Sequence, residues 1–128
     1  MKTVKVRRGM SAAKLRGMFM FLNLHFFDNR IPGSMRVEFM KNCGNKESKK
    51  DKFKLVDAFF SLREDAIYLD DLLRFFPDYA TICLLHEMVH VDLHFRGYEG
   101  YPIDKGHGTG FHAEIARLIK IGAYDGLL

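Results

Sequence analysis

Apolar and polar residues repeat with two different periods along this chain, and the changes of period divide it into elements. Over residues 11–27 the spacing is helical: Leu15, Met18, Phe19, Leu22 and Phe26 fall on one face, and Ser11 stands where a cap belongs. Met20, Phe21, Leu24 and Phe27 add a second apolar strip, so the helix is nearly apolar all round after Gly17. Such a helix is expected to pack on more than one side or to cover a partner. Residues 28–33 break it, with Pro32-Gly33 as a turn. The period then falls to two. Residues 35–40 place Met35, Val37 and Phe39 opposite Arg36 and Glu38, and residues 53–62 place Leu55, Asp57 and Phe59 opposite Val56, Ala58 and Phe60. A polar loop over 41–52 separates these two strands, and Arg63-Glu64-Asp65 turns the chain into a short third strand at 66–69. Asp70-Asp71 caps a brief helical piece holding Leu72, Leu73 and Phe75.

A long helix is predicted over 77–95, opened by Pro77 and Asp78 and stopped by Gly97. Its core stripe is Ile82, Leu85, Val89 and Leu93, with Leu84, Met88 and Val91 alongside. Residues 96–108 form a loop rich in glycine, and a last helix over 109–121 is capped by Thr109 and ended by Gly122. The order predicts an α+β fold: an N-terminal helix, a three-stranded antiparallel meander, the long helix and a C-terminal helix.

Composition narrows this little. A chain of 128 residues is enough for one core, so a single domain over 1–128 is expected, with a basic arm at 1–9. Two cysteines, Cys43 and Cys83, sit in no CxxC pair and read as reduced thiols with packing roles. No signal peptide and no membrane span is found, which predicts a soluble cytoplasmic protein with no membrane partner. The formal net charge is +4, concentrated in two segments. Residues 1–16 hold Lys2, Lys5, Arg7, Arg8, Lys14 and Arg16 with no acid, and residues 41–54 hold Lys46, Lys49 and Lys50 among other lysines. Each is either a solvated segment or a patch that follows a phosphate backbone. Few aromatics interleave with the lysines, so the contact expected is non-specific DNA binding through Arg7, Arg8, Lys46, Lys49 and Lys50.

The long helix carries the chemistry. His86-Glu87-Met88-Val89-His90 reads HExxH within an apolar run. Residues four apart lie on one helical face, so His86 and His90 can both turn an imidazole nitrogen to one metal ion, and Glu87 can reach a water beside it. A catalytic zinc takes three protein ligands and leaves one position open. For the third ligand His107 is favoured, because Gly106 and Gly108 free the backbone around it. His112 and Glu114 stand in reserve, and Glu114 would complete a two-histidine, one-glutamate set. His94 shares the helix face but lies about 12 Å along the axis from His86, too far for one ion. The extended pattern HExxHxxGxxH would need glycine and histidine where the chain has Leu93 and Arg96. His25, on the first helix, reads as a core or rim residue.

The sequence LLHEMVH, followed by Gly106-His107-Gly108 and then by Phe111, resembles the signature of the SprT-like (Spartan) metallopeptidases. Leu22-Asn23 with Phe26-Phe27, and Ile67-Tyr68-Leu69 with Leu72 and Leu73, are similar to that family's upstream pattern. The likeness covers about residues 15–120 and is to a minimal protease domain without a zinc ribbon. It implies one Zn2+ ion held by His86, His90 and His107, with Glu87 as the catalytic residue. It further implies a zincin-like fold and proteolysis of DNA-associated proteins.

On this reading zinc lowers the pKa of its water towards roughly 7, and Glu87 takes the proton and passes it to the leaving amine. Tyr98, Tyr101 and His112 are candidate donors to the oxyanion. The strand at 66–69 is the expected edge for a protein or peptide substrate lying as an added strand. Two other functions compete. One is a non-catalytic, zinc-stabilised module that binds nucleic acid or protein. The other is a metal-dependent RNA hydrolase of the kind with HxxxHxxxxxH and a Gly-Tyr-Asp-His ending; the chain has Gly97-Tyr98-Glu99, with Gly100 where the histidine of that ending belongs, and Glu87 is no part of that pattern.

Overall fold

In the computed structural model residues 8–43, 57–97 and 108–127 are described. Helix α1 spans Ala12–Phe26, and the Ser11 hydroxyl accepts the Lys14 N–H at 3.0 Å, the capping bond its sequence predicts. Leu15, Phe19 and Leu22 are buried against the sheet and the long helix. Of the second strip only Phe27, at its end, is buried, while Met20, Phe21 and Leu24 are 57%, 56% and 54% exposed. The expectation of packing on more than one side is therefore corrected, since α1 lies on the outside of the layer with one face inward. Asn23, buried at the end of α1, donates to the Ile31 carbonyl at 2.8 Å and accepts its N–H at 3.2 Å. That pair closes the 27–31 loop, in which Asp28 and Asn29 take positive φ.

The sheet has three strands, β1 (Arg36–Met40), β2 (Ala58–Ser61) and β3 (Ala66–Asp70), in the order β1-β3-β2. β2 and β3 pair antiparallel across the 62–65 turn, but β1 pairs with β3 in parallel, Arg36 opposite Ala66 and Met40 opposite Asp70. The sheet is mixed, which corrects the expected antiparallel meander. The cause lies in the long stretch between β1 and β2. A parallel pair needs a connection of a dozen or more residues, and that stretch provides it. The alternation of β1 holds, with Val37 buried and Arg36 and Glu38 exposed and paired at 3.2 Å. β3 does not alternate, because Ala66, Ile67, Tyr68 and Leu69 are all buried. Ile67 and Leu69 face the main core, while Ala66 and Tyr68 face a second cluster with Cys43. A strand covered on both faces belongs in the middle of a sheet.

A 3₁₀ turn, Asp71–Phe75, follows, with Asp70 accepting the Leu72 N–H at 3.0 Å and the Cys43 N–H at 3.1 Å. Helix α2 runs Pro77–Phe95, with proline in the first turn and Asp78 beside it, both suited to a helix start. It crosses the middle of the molecule: Leu84, Leu85, Met88, Val89, Val91 and Leu93 are buried. Helix α3 spans Thr109–Lys120. Its cap position is taken by Gly108 without a side-chain bond, so the expected Thr109 cap is corrected, Thr109 being the first helical residue. Gly97 and Gly122 end the two helices with φ of +63° and +92°, a backbone that side chains disfavour.

Charged groups weld these helices together. Asp92, 1% exposed, receives a two-pronged Arg30 guanidinium at 3.0 Å on each oxygen, and Arg96 at 3.2 Å. Glu114, 7% exposed, lies 3.7 Å from Arg30, 3.9 Å from Arg96 and 3.0 Å from Arg117. Arg117 also donates to the Phe26 carbonyl at 2.8 Å. The hydrogen bond to Asp92 holds the Arg30 proton more firmly than usual, outweighing the opposing effect of burial. Among the described residues every buried side-chain nitrogen and oxygen has a hydrogen-bond partner. No described helix is long and apolar enough to cross a membrane.

Candidate metal centre

The apolar residues of α2 fix its rotation, and that rotation sets His86, Glu87 and His90 on one flank. The two histidines are half-buried and Glu87 is buried at 8% exposure. Their Nε2 atoms face each other at 3.3 Å. Ligands at 2.0–2.1 Å from one tetrahedral zinc would stand about 3.3–3.4 Å apart, so the pair already has the spacing of two ligands sharing an ion. A Glu87 carboxylate oxygen lies 4.0 Å from the His86 Nε2. The donor atoms of all three residues fall within 4.8 Å of one another, and this group can hold a metal ion. Two imidazole nitrogens with a carboxylate at their side are donor types that first-row transition metals accept.

Phe111 forms the wall of this site. Its ring stacks on His90 at 4.7 Å with 26° between planes, and meets His86 edge-on at 4.8 Å. It is 6% exposed and comes from the first turn of α3. The sequence marks Phe111 only as an aromatic three residues after Gly108, and its packing on both imidazoles is a tertiary contact between two helices. The signal was its position three residues past Gly108 in a helix whose partner carries the histidines.

The remaining candidates separate clearly. His94 is exposed, its ring 6.1 Å from that of Phe60, and it stands outside the group of convergent donors, as its axial distance predicts. His25 is exposed on α1 with its ring 4.3 Å from Phe21, a rim position. His112 is exposed, 5.8 Å ring to ring from Phe111, on the outer side of the wall. Glu114 is engaged by three arginines, and its carboxylate serves the ion-pair network rather than the metal group. His107, Tyr98 and Tyr101 lie outside the described residues, as do Arg7, Lys46, Lys49 and Lys50. No protein-family model matches the chain, and no curated protein or solved structure matches it.

Cys83 lies one turn before His86, buried, and does not join the metal group. Burial pushes its thiol up to about 11, partly offset by the Tyr79 hydroxyl, so it packs as a neutral side chain. Tyr79 is itself hydrogen-bonded to the Asp57 carboxylate, which raises its pKa. Arg8 is exposed beside a cavity of about 310 Å³ that Lys14, Arg74, Ser11 and Phe75 also line. β1 and β2 are the outer strands, which corrects the expectation that residues 66–69 offer an edge. β3 spends its hydrogen-bonding groups on both neighbours.

Proposed function

We propose that the chain is a zinc-dependent endopeptidase of the SprT-like kind, with a zincin-like fold. His86 and His90 hold the ion with His107 as third ligand, and Glu87 moves the proton. The observation that supports this most is the 3.3 Å approach of the two Nε2 atoms with a buried carboxylate at their side. When bound, zinc supplies a Lewis-acidic centre that polarises a peptide carbonyl and lowers the pKa of water towards about 7. Glu87 accepts the proton of the attacking water on a carboxylate oxygen and returns it to the departing amide nitrogen. Its burial keeps bulk water from competing for that proton. Phe111 closes one side of the site and keeps both imidazoles turned inward.

β2 is the better candidate edge for an extended substrate, because it packs against α2 and places Phe60 near His94 at the end of the metal flank. The substrate class is protein, and association with DNA is supported by the cations beside the start of α1, Arg8, Lys14 and Arg74. The test is cleavage of a casein-type substrate with and without single-stranded DNA, run beside zinc analysis. Glu87→Gln is expected to keep zinc and lose cleavage by on the order of 10²–10⁴-fold. Equal cleavage by that variant would sink the assignment. Stoichiometric zinc with no cleavage under any condition would point instead to a non-catalytic, zinc-stabilised module.

A further inference from the structure

The centre's wall comes from α3, and α3 is held by charge. Phe111 touches both imidazoles, and Glu114 sits one turn further along the same helix, about 4.5 Å up the axis. Glu114 is gripped by guanidiniums from three places: Arg30 after α1, Arg96 at the end of α2, and Arg117 on α3 itself. Arg117 also ties α3 to the last carbonyl of α1, and Asp92 fixes Arg30 and Arg96 from the far side of α2. Apolar contacts alone would let α3 slide or roll on α2. The two-pronged Arg30–Asp92 pair fixes Arg30 in place. Glu114 meets that guanidinium at 3.7 Å and Arg96 at 3.9 Å, and Arg117 donates to the Phe26 carbonyl at 2.8 Å, so a roll or slide of α3 would pull these contacts apart. Convergent metal ligands tolerate little looseness, and groups that orient ligands typically change metal affinity by 10–100-fold when lost.

We propose that Asp92 and Glu114, clamped by Arg30, Arg96 and Arg117, are positioning residues for the metal centre. They fix the rotation of α3 on α2, and so hold Phe111 where it keeps the His86 and His90 imidazoles convergent. The inference rests on the reading of His86 and His90 as zinc ligands. It also assigns these carboxylates a role other than ligation, although Glu114 is a residue type that often ligates zinc.

The test measures zinc affinity by competition with a chromogenic chelator, at a temperature where circular dichroism shows each protein folded. Glu114→Gln and Arg96→Gln are expected to weaken zinc binding by about 10–100-fold and to alter the visible spectrum of the cobalt-substituted protein. Arg96 is 40% exposed on its side chain, so its variant reports on the clamp even if the buried substitution fails to fold. Phe111→Leu combined with Glu114→Gln should weaken zinc no further than the stronger single variant, because both act through one helix. A purely structural clamp would lower the melting temperature and leave zinc affinity in both single variants within twofold of wild type. That result would overturn the proposal while leaving the metal reading intact. A wild-type protein that binds no zinc would remove both.

Discussion

Helix α2 carries two groups of ionisable side chains, on two flanks and little more than a turn apart. On one flank His86, Glu87 and His90 bring lone pairs together within 4.8 Å. On the other, Asp92 is enclosed by Arg30 and Arg96 and backed by Glu114 and Arg117. Each group holds a buried carboxylate, yet the two answer the cost of burial in opposite ways. The carboxylates at 92 and 114 are neutralised by the chain's own cations, which stand in fixed positions. The histidines and Glu87 bring donor atoms to a common point, an arrangement that can hold a metal ion. A buried acid is therefore informative only through its neighbours. Glu87 and Glu114 are equally buried, and only Glu87 faces converging donors.

The contrast predicts opposite responses to substitution. The largest effect is expected for Asp92→Ala in metal-free protein. Asp92 is buried and takes hydrogen bonds from two part-exposed arginines, and losing these charged hydrogen bonds should cost about 2–3 kcal/mol in a urea melt. His86→Ala, on the half-exposed flank, should cost far less in the same melt and should instead lower zinc affinity. The reverse pair of outcomes would show that the two flanks do not differ in this way. Next is Phe111→Leu, a near volume-conserving change between the groups. It should cost about 1 kcal/mol in metal-free protein and more when zinc is bound, read as a smaller zinc-induced rise in melting temperature.

A smaller effect concerns pH at the head of α2. Cys83 is held neutral up to about 11, against 9.0 for an unburied thiol, and Tyr79 is raised mainly by its bond to Asp57. A raised folded-state value means that this contribution is complete below pH 9. It is lost as pH climbs through 11, because the unfolded chain releases its proton first. Melting temperature should fall by a few degrees between pH 8 and pH 10.5, and by less in Cys83→Ala. The smallest effect belongs to the exposed pair Arg36–Glu38 on β1. Arg36→Ala should change stability by under about 1 kcal/mol, and less still at high salt.

Much of this was legible in the sequence. The caps and breakers of α1 and α2, the alternation of β1, and the convergence of His86 and His90 follow from local rules that act within one or two turns. Strand order did not follow. β1 and β3 meet across a long intervening stretch, and nothing within either strand records its partner. The hint was the unbroken apolar run at 66–69, the mark of a strand covered on both faces. The bare strip on α1 escaped for a related reason: a helix apolar all round does not say which face finds a neighbour. Asp92 escaped because an acid four residues before Arg96 looks like an ordinary surface pair. Its enclosure by Arg30, from 62 residues away, is a tertiary fact.

Whether His86 and His90 form a metal centre is measured most directly by elemental analysis of protein purified without added metal, compared with His90→Ala prepared in parallel. Close to one zinc per wild-type chain and a large loss in the variant are expected, with both proteins folded by circular dichroism. Wild-type protein that takes up no zinc even when supplied with it, or zinc retained in full by His90→Ala, would contradict a metal centre there.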